Sequence, residues 1–227
     1  MFPKFHNKYL KVPLLFSGGG GGSLLPPELQ ACEWIKSDGT AAILLNYIAN
    51  ANTEIYCKST DYGTKNNVAM FGSRKSYLDQ QFCFVINNLN KYVALVNNDS
   101  TQMDYTKSDN LYLIFKASGL ATINVTNRTF PAYSNINDLR FCVFSQNEND
   151  NILGAWDGNY TEFYIVENEN KVVNLINCYI KDGQTYPNDR GEEMEAGTTG
   201  MFDTINNVFY TKAQASGQFS HGNDIIL

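Results

Sequence analysis

Gln81-Phe82-Cys83-Phe84-Val85-Ile86 runs into Asn87-Asn88-Leu89-Asn90, and Lys91-Tyr92-Val93-Ala94-Leu95-Val96 leads out again to Asn97-Asn98-Asp99. Two apolar runs of strand length, each closed by asparagines that tolerate turn geometry, specify a β-hairpin. Outward from this hairpin the pattern repeats. Leu111-Tyr112-Leu113-Ile114-Phe115 and Ala121-Thr122-Ile123-Asn124-Val125-Thr126 face each other across Ser118-Gly119, and Leu139–Phe144, Phe163–Val166 and Val173–Ile180 read as further strands. No window of helical length carries an apolar i, i+3, i+4, i+7 stripe between believable caps. Many short strands at this spacing predict an all-β sandwich, jelly roll or barrel.

Composition agrees. The 227 residues are 43% hydrophobic and 13% aromatic but only 18% charged, with 14 Tyr and 14 Phe. That favours half-buried strands with polar turns. The net charge is −6 and the pI about 4.9. No basic stripe crosses the body of the chain, which argues against nucleic acid as a partner. No apolar run approaches the ~18–20 residues of a membrane span, so no membrane insertion is expected.

Charge is unevenly placed. Residues 1–23 hold Lys4, Lys8 and Lys11 and no acid, so the remainder carries −9 (−6 less +3). The basic tip also bears Phe2, Phe5, Tyr9, Leu14, Leu15 and Phe16, too apolar for an idle solvated tail. Its apolar stretch Val12–Phe16 is broken by Pro13 and is shorter than the ~7–15 residues of a signal-peptide core. The expectation is a chain made soluble in a cytoplasm. Ser17 and Ser23 bracket Gly18, Gly19, Gly20, Gly21 and Gly22, five residues that reach at most ~18 Å and read as a hinge. The chain therefore divides into an anchoring arm (1–17), a hinge (18–23) and a globular domain (24–227). The arm residues named above are expected to fill a groove on another subunit.

Cys32, Cys57, Cys83, Cys142 and Cys178 are odd in number, widely spaced and without a CxxC pair, so reduced structural thiols are expected.

Several blocks of the chain resemble a known family. Leu25-Pro26-Pro27-Glu28-Leu29-Gln30-Ala31-Cys32-Glu33-Trp34-Ile35-Lys36-Ser37-Asp38-Gly39-Thr40-Ala41-Ala42-Ile43 resembles the opening "LPxEYQxVEYIxSxGTQYI" of concanavalin A-like (laminin-G-like) jelly-roll domains, found in bacteriophage structural proteins and gut bacterial surface proteins. Phe71-Gly72-Ser73-Arg74 resembles the family's "FGSR" strand, and Phe141–Asn147 its "iFaxN" strand. Asn174–Gly183, Gly200–Thr211 and Ser216–Asp224 resemble the closing blocks "rxliPcyikxG", "GmyDxvnxxFYtN" and "GxFxxGxD". Leu29, Trp34, Ala41-Ala42, Asn177 and Lys212 depart from the pattern, so a ligand preference does not carry over. The resemblance implies a two-sheet antiparallel jelly-roll sandwich, here with an extended N-terminal arm, whose two ends are adjacent.

Catalytic signals are sparse. Glycoside hydrolysis needs two carboxylates ~5–9.5 Å apart, commonly E-x-D-x-x-E on a strand, and no such motif occurs. Glu192-Glu193-Met194-Glu195 reads as a solvated loop, and His6 and His221 have no partner at motif spacing. Neither a zinc set nor an EF-hand-type calcium run is present, Asp104 and Asp109 being isolated acids. No cofactor, metal or enzymatic activity is expected. The sequons at Asn98, Asn124, Asn127 and Asn159 are accidental without a secretion signal.

One segment has the residue types of a sugar site. Trp156-Asp157-Gly158-Asn159-Tyr160 combines aromatic faces with directional polar groups, and Arg74 is a candidate for the same surface. The competing reading makes Trp156 a core or edge residue, since Trp is highly buried on average, and Arg74 an ion-pair partner. Three functions follow: a bacteriophage virion appendage of head or tail-fibre type, docked by its arm to other virion proteins and projecting the jelly roll for homo-oligomeric fibre assembly or host-glycan contact; a bacterial surface carbohydrate-binding module, disfavoured by the absent secretion signal; and a glycoside hydrolase, disfavoured by the absent carboxylate pair. The first is preferred on family analogy. It puts the protein in a virion assembled in the host cytoplasm.

Overall fold

A computed structural model describes residues 24–76, 79–106, 110–214 and 216–227. The anchoring arm and polyglycine hinge lie outside the described residues.

Those residues form an all-β sandwich. The larger sheet runs in the order Thr126–Thr129, Leu120–Ile123, Leu111–Lys116, Thr53–Ser59, Glu162–Glu167, Asn170–Ile180, Thr199–Asp203, Val208–Tyr210. Leu29–Ala31 extends it beside the far half of Asn170–Ile180. The smaller sheet runs Asn151–Leu153, Gln146–Glu148, Val68–Arg74, Gln81–Ile86, Lys91–Asn97, Asp99–Thr106, with Cys142–Val143 and Ile43–Leu44 attached. Among the described residues its parallel ladder joins Gln146–Glu148 to Val68–Arg74, which also bridges in parallel from Ala69 to Ala155; its other ladders are antiparallel. The two ends of the sandwich meet as the resemblance implies: Lys36 pairs with Ser220, and Glu33 N donates to Asn223 O.

Alternation explains the layers. In Thr53–Ser59, residues Thr53, Ile55, Cys57 and Ser59 are buried while Glu54, Tyr56 and Lys58 turn outward. Leu111–Lys116 alternates the same way. Ile55, Leu113, Phe115, Phe163 and Ile165 from the larger sheet then meet Phe71, Phe82, Phe84, Tyr92 and Val96 from the smaller one in a single core. Phe71 is central, with ring centroids 5.7 Å from Phe84, 5.8 Å from Phe115 and Phe141, and 6.0 Å from Phe163. Aromatic pairs at these separations add about 0.5–1.5 kcal/mol each beyond their buried area. A smaller cluster of Leu25, Leu29, Ile180, Phe202 and Phe209 lies apart, under Tyr186 and Met194.

Several boundaries differ from the sequence reading. Ala121–Thr126 is not one strand: Asn124 adopts φ 54° and turns the chain, so Leu120–Ile123 pairs back on Thr126–Thr129 and leaves Val125 exposed at the tip. Leu139–Phe144 shrinks to Cys142–Val143, and Phe144, at φ 68°, ends the strand. That turn converts antiparallel pairing with Phe71-Gly72 into parallel pairing with Ser73-Arg74. A buried Phe in this region is strained by about 1–3 kcal/mol, which its packing must offset. Glu193-Met194 is a short ladder against Tyr186-Pro187, not open loop, although Glu192, Glu193 and Glu195 are exposed as expected.

Gly72 has φ 141°, and a Cβ there would lie 2.5 Å from both Cys83 Cα and Phe82 O. Gly72→Ala should therefore lower unfolding free energy by roughly 2–4 kcal/mol in urea denaturation, with backbone strain and overpacking acting together. Unchanged stability would contradict this register.

Candidate functional site: an uncovered tyrosine face

The candidate sugar-binding segment is Trp156–Tyr160. Trp156 and Tyr160 are both 0% exposed. The Trp156 ring lies 6.0 Å from Phe144 and 5.0 Å from Tyr160, and its Nε1 donates to Tyr62 O at 2.7 Å. The Tyr160 hydroxyl donates to Met70 O at 2.9 Å. Neither ring has a face on which a sugar could stack, so of the two readings of this segment the core one describes its rings and the sugar patch does not.

The polar residues of the segment are equally occupied. Asp157 accepts from Thr64 N and Oγ1 and from Lys65 N. Asn159 Oδ1 accepts from Thr60 N at 2.9 Å and Asp61 N at 3.0 Å. The segment thus clamps the 60–65 loop, and Gly158 is required because a Cβ would lie 2.0 Å from the indole. Arg74, with a side chain only 13% exposed, holds Glu148 through Nε at 2.8 Å. It is a structural ion pair on another part of the smaller sheet, not a member of the segment's surface.

Among the described residues the outer face of the larger sheet stands uncovered, a surface that sequence reasoning missed. Strand register places Thr122, Ile114, Tyr56, Tyr164 and Asn174 in one row across five strands. On one side of it lie Tyr112, Lys58 and Glu162; on the other lie Lys116, Glu54 and Val166. Tyr56, Tyr112, Ile114, Tyr164 and Val166 are all half-buried. The face is internally ordered. Tyr56 and Tyr164 stack at 4.8 Å with planes 7° apart, and Lys171 Nζ sits 4.0 Å over the other face of the pair at Tyr164. The Tyr56 hydroxyl donates to Glu54 at 2.7 Å, Lys116 pairs with Glu54 at 2.8 Å, and Lys58 pairs with Glu162.

The electrostatics fit a neutral aromatic row between ionic ones. Burial, then the neighbouring Glu54, pushes the Tyr56 hydroxyl well above its ordinary range; burial and Glu162 do the same at Tyr164. Partial burial pulls Lys171 down. Ion pairs this exposed contribute only ~0–1 kcal/mol to folding, so their arrangement bears more on what the face meets than on stability.

A shallow cavity of about 350 Å³ lies on the smaller sheet over Val85, Val93 and Leu95, with Gln102 and Gln146 at its rim. All five cysteines are free and buried, and burial drives the thiols up, Cys32 and Cys83 to about 12. Asp189 and Glu192 are pushed in opposite directions, Asp189 up by burial and Glu192 down by hydrogen bonds from Asn188 and Arg190. A divergent pair resembles an acid–base couple. Here Arg190 sits between them, 3.3 Å from Asp189 and 3.0 Å from Glu192, where a substrate would need room. Asn188 and Arg190 also tie the turn to Thr211. Among the described residues no group of three His, Cys, Asp or Glu is spaced to hold a metal, and no helix is long and apolar enough to cross a membrane.

No protein-family model matches the chain, and no curated protein matches it.

Two outcomes test this description. Trp156→Ala should cost about 3–5 kcal/mol in chemical denaturation, as for other buried aromatics; a near-neutral result would return Trp156 to the surface. For Asp157, burial raises the carboxyl, but the Thr64 and Lys65 donors outweigh it and hold the group below its ordinary 3.8. Its stabilisation is therefore present above that value and lost as pH falls through the lower folded value. Melting curves from neutral to strongly acidic pH should show Asp157→Asn less stable at neutrality and less sensitive to acid than the parent.

Proposed function

We propose that this chain is a non-enzymatic structural component of a bacteriophage virion, an appendage of head or tail-fibre type. Its basic, apolar residues 1–17 dock to other virion proteins, the polyglycine hinge sets the projection, and the β-sandwich makes protein contacts through its tyrosine face. The observation that carries the binding role is that face: a half-buried aromatic row on the outside of a sheet, flanked by alternating charges. Tyrosine is enriched in protein interfaces because it adds apolar area at low entropic cost. The virion assignment is supported by the concanavalin A-like sequence blocks, with which the β-sandwich agrees, and by the contrast between a +3 arm and a −9 body.

Two features weigh against the carbohydrate-binding and hydrolase readings. The stacking faces that a sugar needs are taken up at Trp156 by core rings and at Tyr164 by Tyr56 and Lys171. The carboxylates Glu54, Glu162, Glu148 and Asp61 are each held by a lysine or arginine.

Removing residues 1–16 tests the docking role. The truncated chain should keep the circular dichroism and cooperative melting of the full chain but fail to co-purify with particles. Normal incorporation of the truncated chain would overturn the anchoring arm.

A further inference from the structure

The tyrosine face has a symmetry in its charges. The three rows follow directly from strand pairing: Tyr112, Lys58, Glu162; then Ile114, Tyr56, Tyr164; then Lys116, Glu54, Val166. A two-fold axis lying along the middle row, in the plane between two such faces, exchanges the outer rows strand by strand. Lys58 of one copy then lies opposite the partner subunit's Glu54, and its Glu54 opposite the partner subunit's Lys58. Tyr112 meets the partner subunit's Lys116, a cation over an aromatic ring, while Glu162 meets the partner subunit's Val166 with no like charge. The middle row packs Ile114, Tyr56 and Tyr164 on themselves. This is the self-complementarity that an isologous interface requires.

We infer that the outer face of the larger sheet is a two-fold interface with a second copy of this chain, registered by reciprocal Lys58–Glu54 pairs across the tyrosine row. The inference rests on the proposed assembly role and names the partner of that same face.

Its size sets its strength. Five strands at ~4.8 Å span about 24 Å, and three rows with their side chains cover roughly 20 Å along the strands. That gives on the order of 500 Å² per copy and about 1,000 Å² in total, the lower limit for a specific interface. The dimer should therefore be reversible and micromolar. Order already present helps: Tyr56, Tyr164 and Lys171 are stacked in the single copy, so little side-chain freedom remains to be lost on association.

Sedimentation velocity on the full chain from roughly 1 to 100 µM should show a monomer–dimer equilibrium with micromolar Kd. Lys58→Glu and Glu54→Lys should each weaken it by about tenfold or more, because each sets like charges across the axis. Mixing the two variants should restore dimer as a heterodimer, since both cross-axis pairs are again opposite in sign. Zero-length carbodiimide coupling of mixed light and heavy-isotope parent chains should yield an intermolecular Lys58–Glu54 peptide, a readout that needs no variant to fold. A parent that stays monomeric throughout, or variants as dimeric as the parent with coupling confined to Lys116–Glu54 and Lys58–Glu162 within one chain, would overturn the inference and leave the face to a different partner. The anchoring arm is judged separately by particle incorporation of the 1–16 truncation, so either idea can fail without the other.

Discussion

The packing of Phe71 between the two sheets is the constraint on which the rest of the molecule depends. Its ring stands among Phe84 on its own sheet, Phe115 and Phe163 on the opposite one, and Phe141 just before Cys142–Val143. Phe71 can reach that position because Gly72, its neighbour, lets the strand pass against Cys83 where a side chain would collide. Once those rings are fixed, alternation decides everything outward. Glu54, Tyr56, Lys58, Glu162 and Tyr164 must face away from the core because Ile55, Cys57, Phe163 and Ile165 face into it. The candidate interface is thus the far side of the core-facing pattern.

A second aromatic group explains why the Trp156 segment is structural. Phe144 turns through a positive φ into contact with Tyr160 at 4.7 Å, and Phe219 closes on it from near the C-terminus at 5.2 Å. Trp156 completes this group and, through Asp157 and Asn159, holds the 60–65 loop in place. The strain at Phe144 is kept because Phe144, Trp156 and Tyr160 are buried together there, with half-buried Phe219 packed against them.

Legibility followed locality. The Gln81–Asn97 hairpin was readable almost to the residue because its signal is local: two apolar runs and asparagines, of which Asn90 and Asn97 do adopt positive φ. The Leu120–Thr129 hairpin was blurred because Val125, a poor turn residue, hid the turn begun by Asn124. The sequence leaves Trp156 open between sugar site and core because its neighbours Asp157, Gly158 and Asn159 have loop composition, while its burial depends on Phe144 and Tyr160. The tyrosine face was invisible for the same reason. Each strand advertised its outward residues through alternation, but Tyr56, Tyr112 and Tyr164 come together only because Thr53–Ser59 inserts between two strands far away in sequence.

Hydroxyl-radical footprinting of the full chain, read residue by residue by mass spectrometry, most directly tests which aromatics face outward. Tyr56, Tyr112 and Tyr164 should be oxidised in dilute protein, less so as concentration rises, with Trp156 and Tyr160 protected throughout. Oxidation of Trp156 and Tyr160 in the folded protein, with the three tyrosines protected in dilute monomer, would contradict this arrangement.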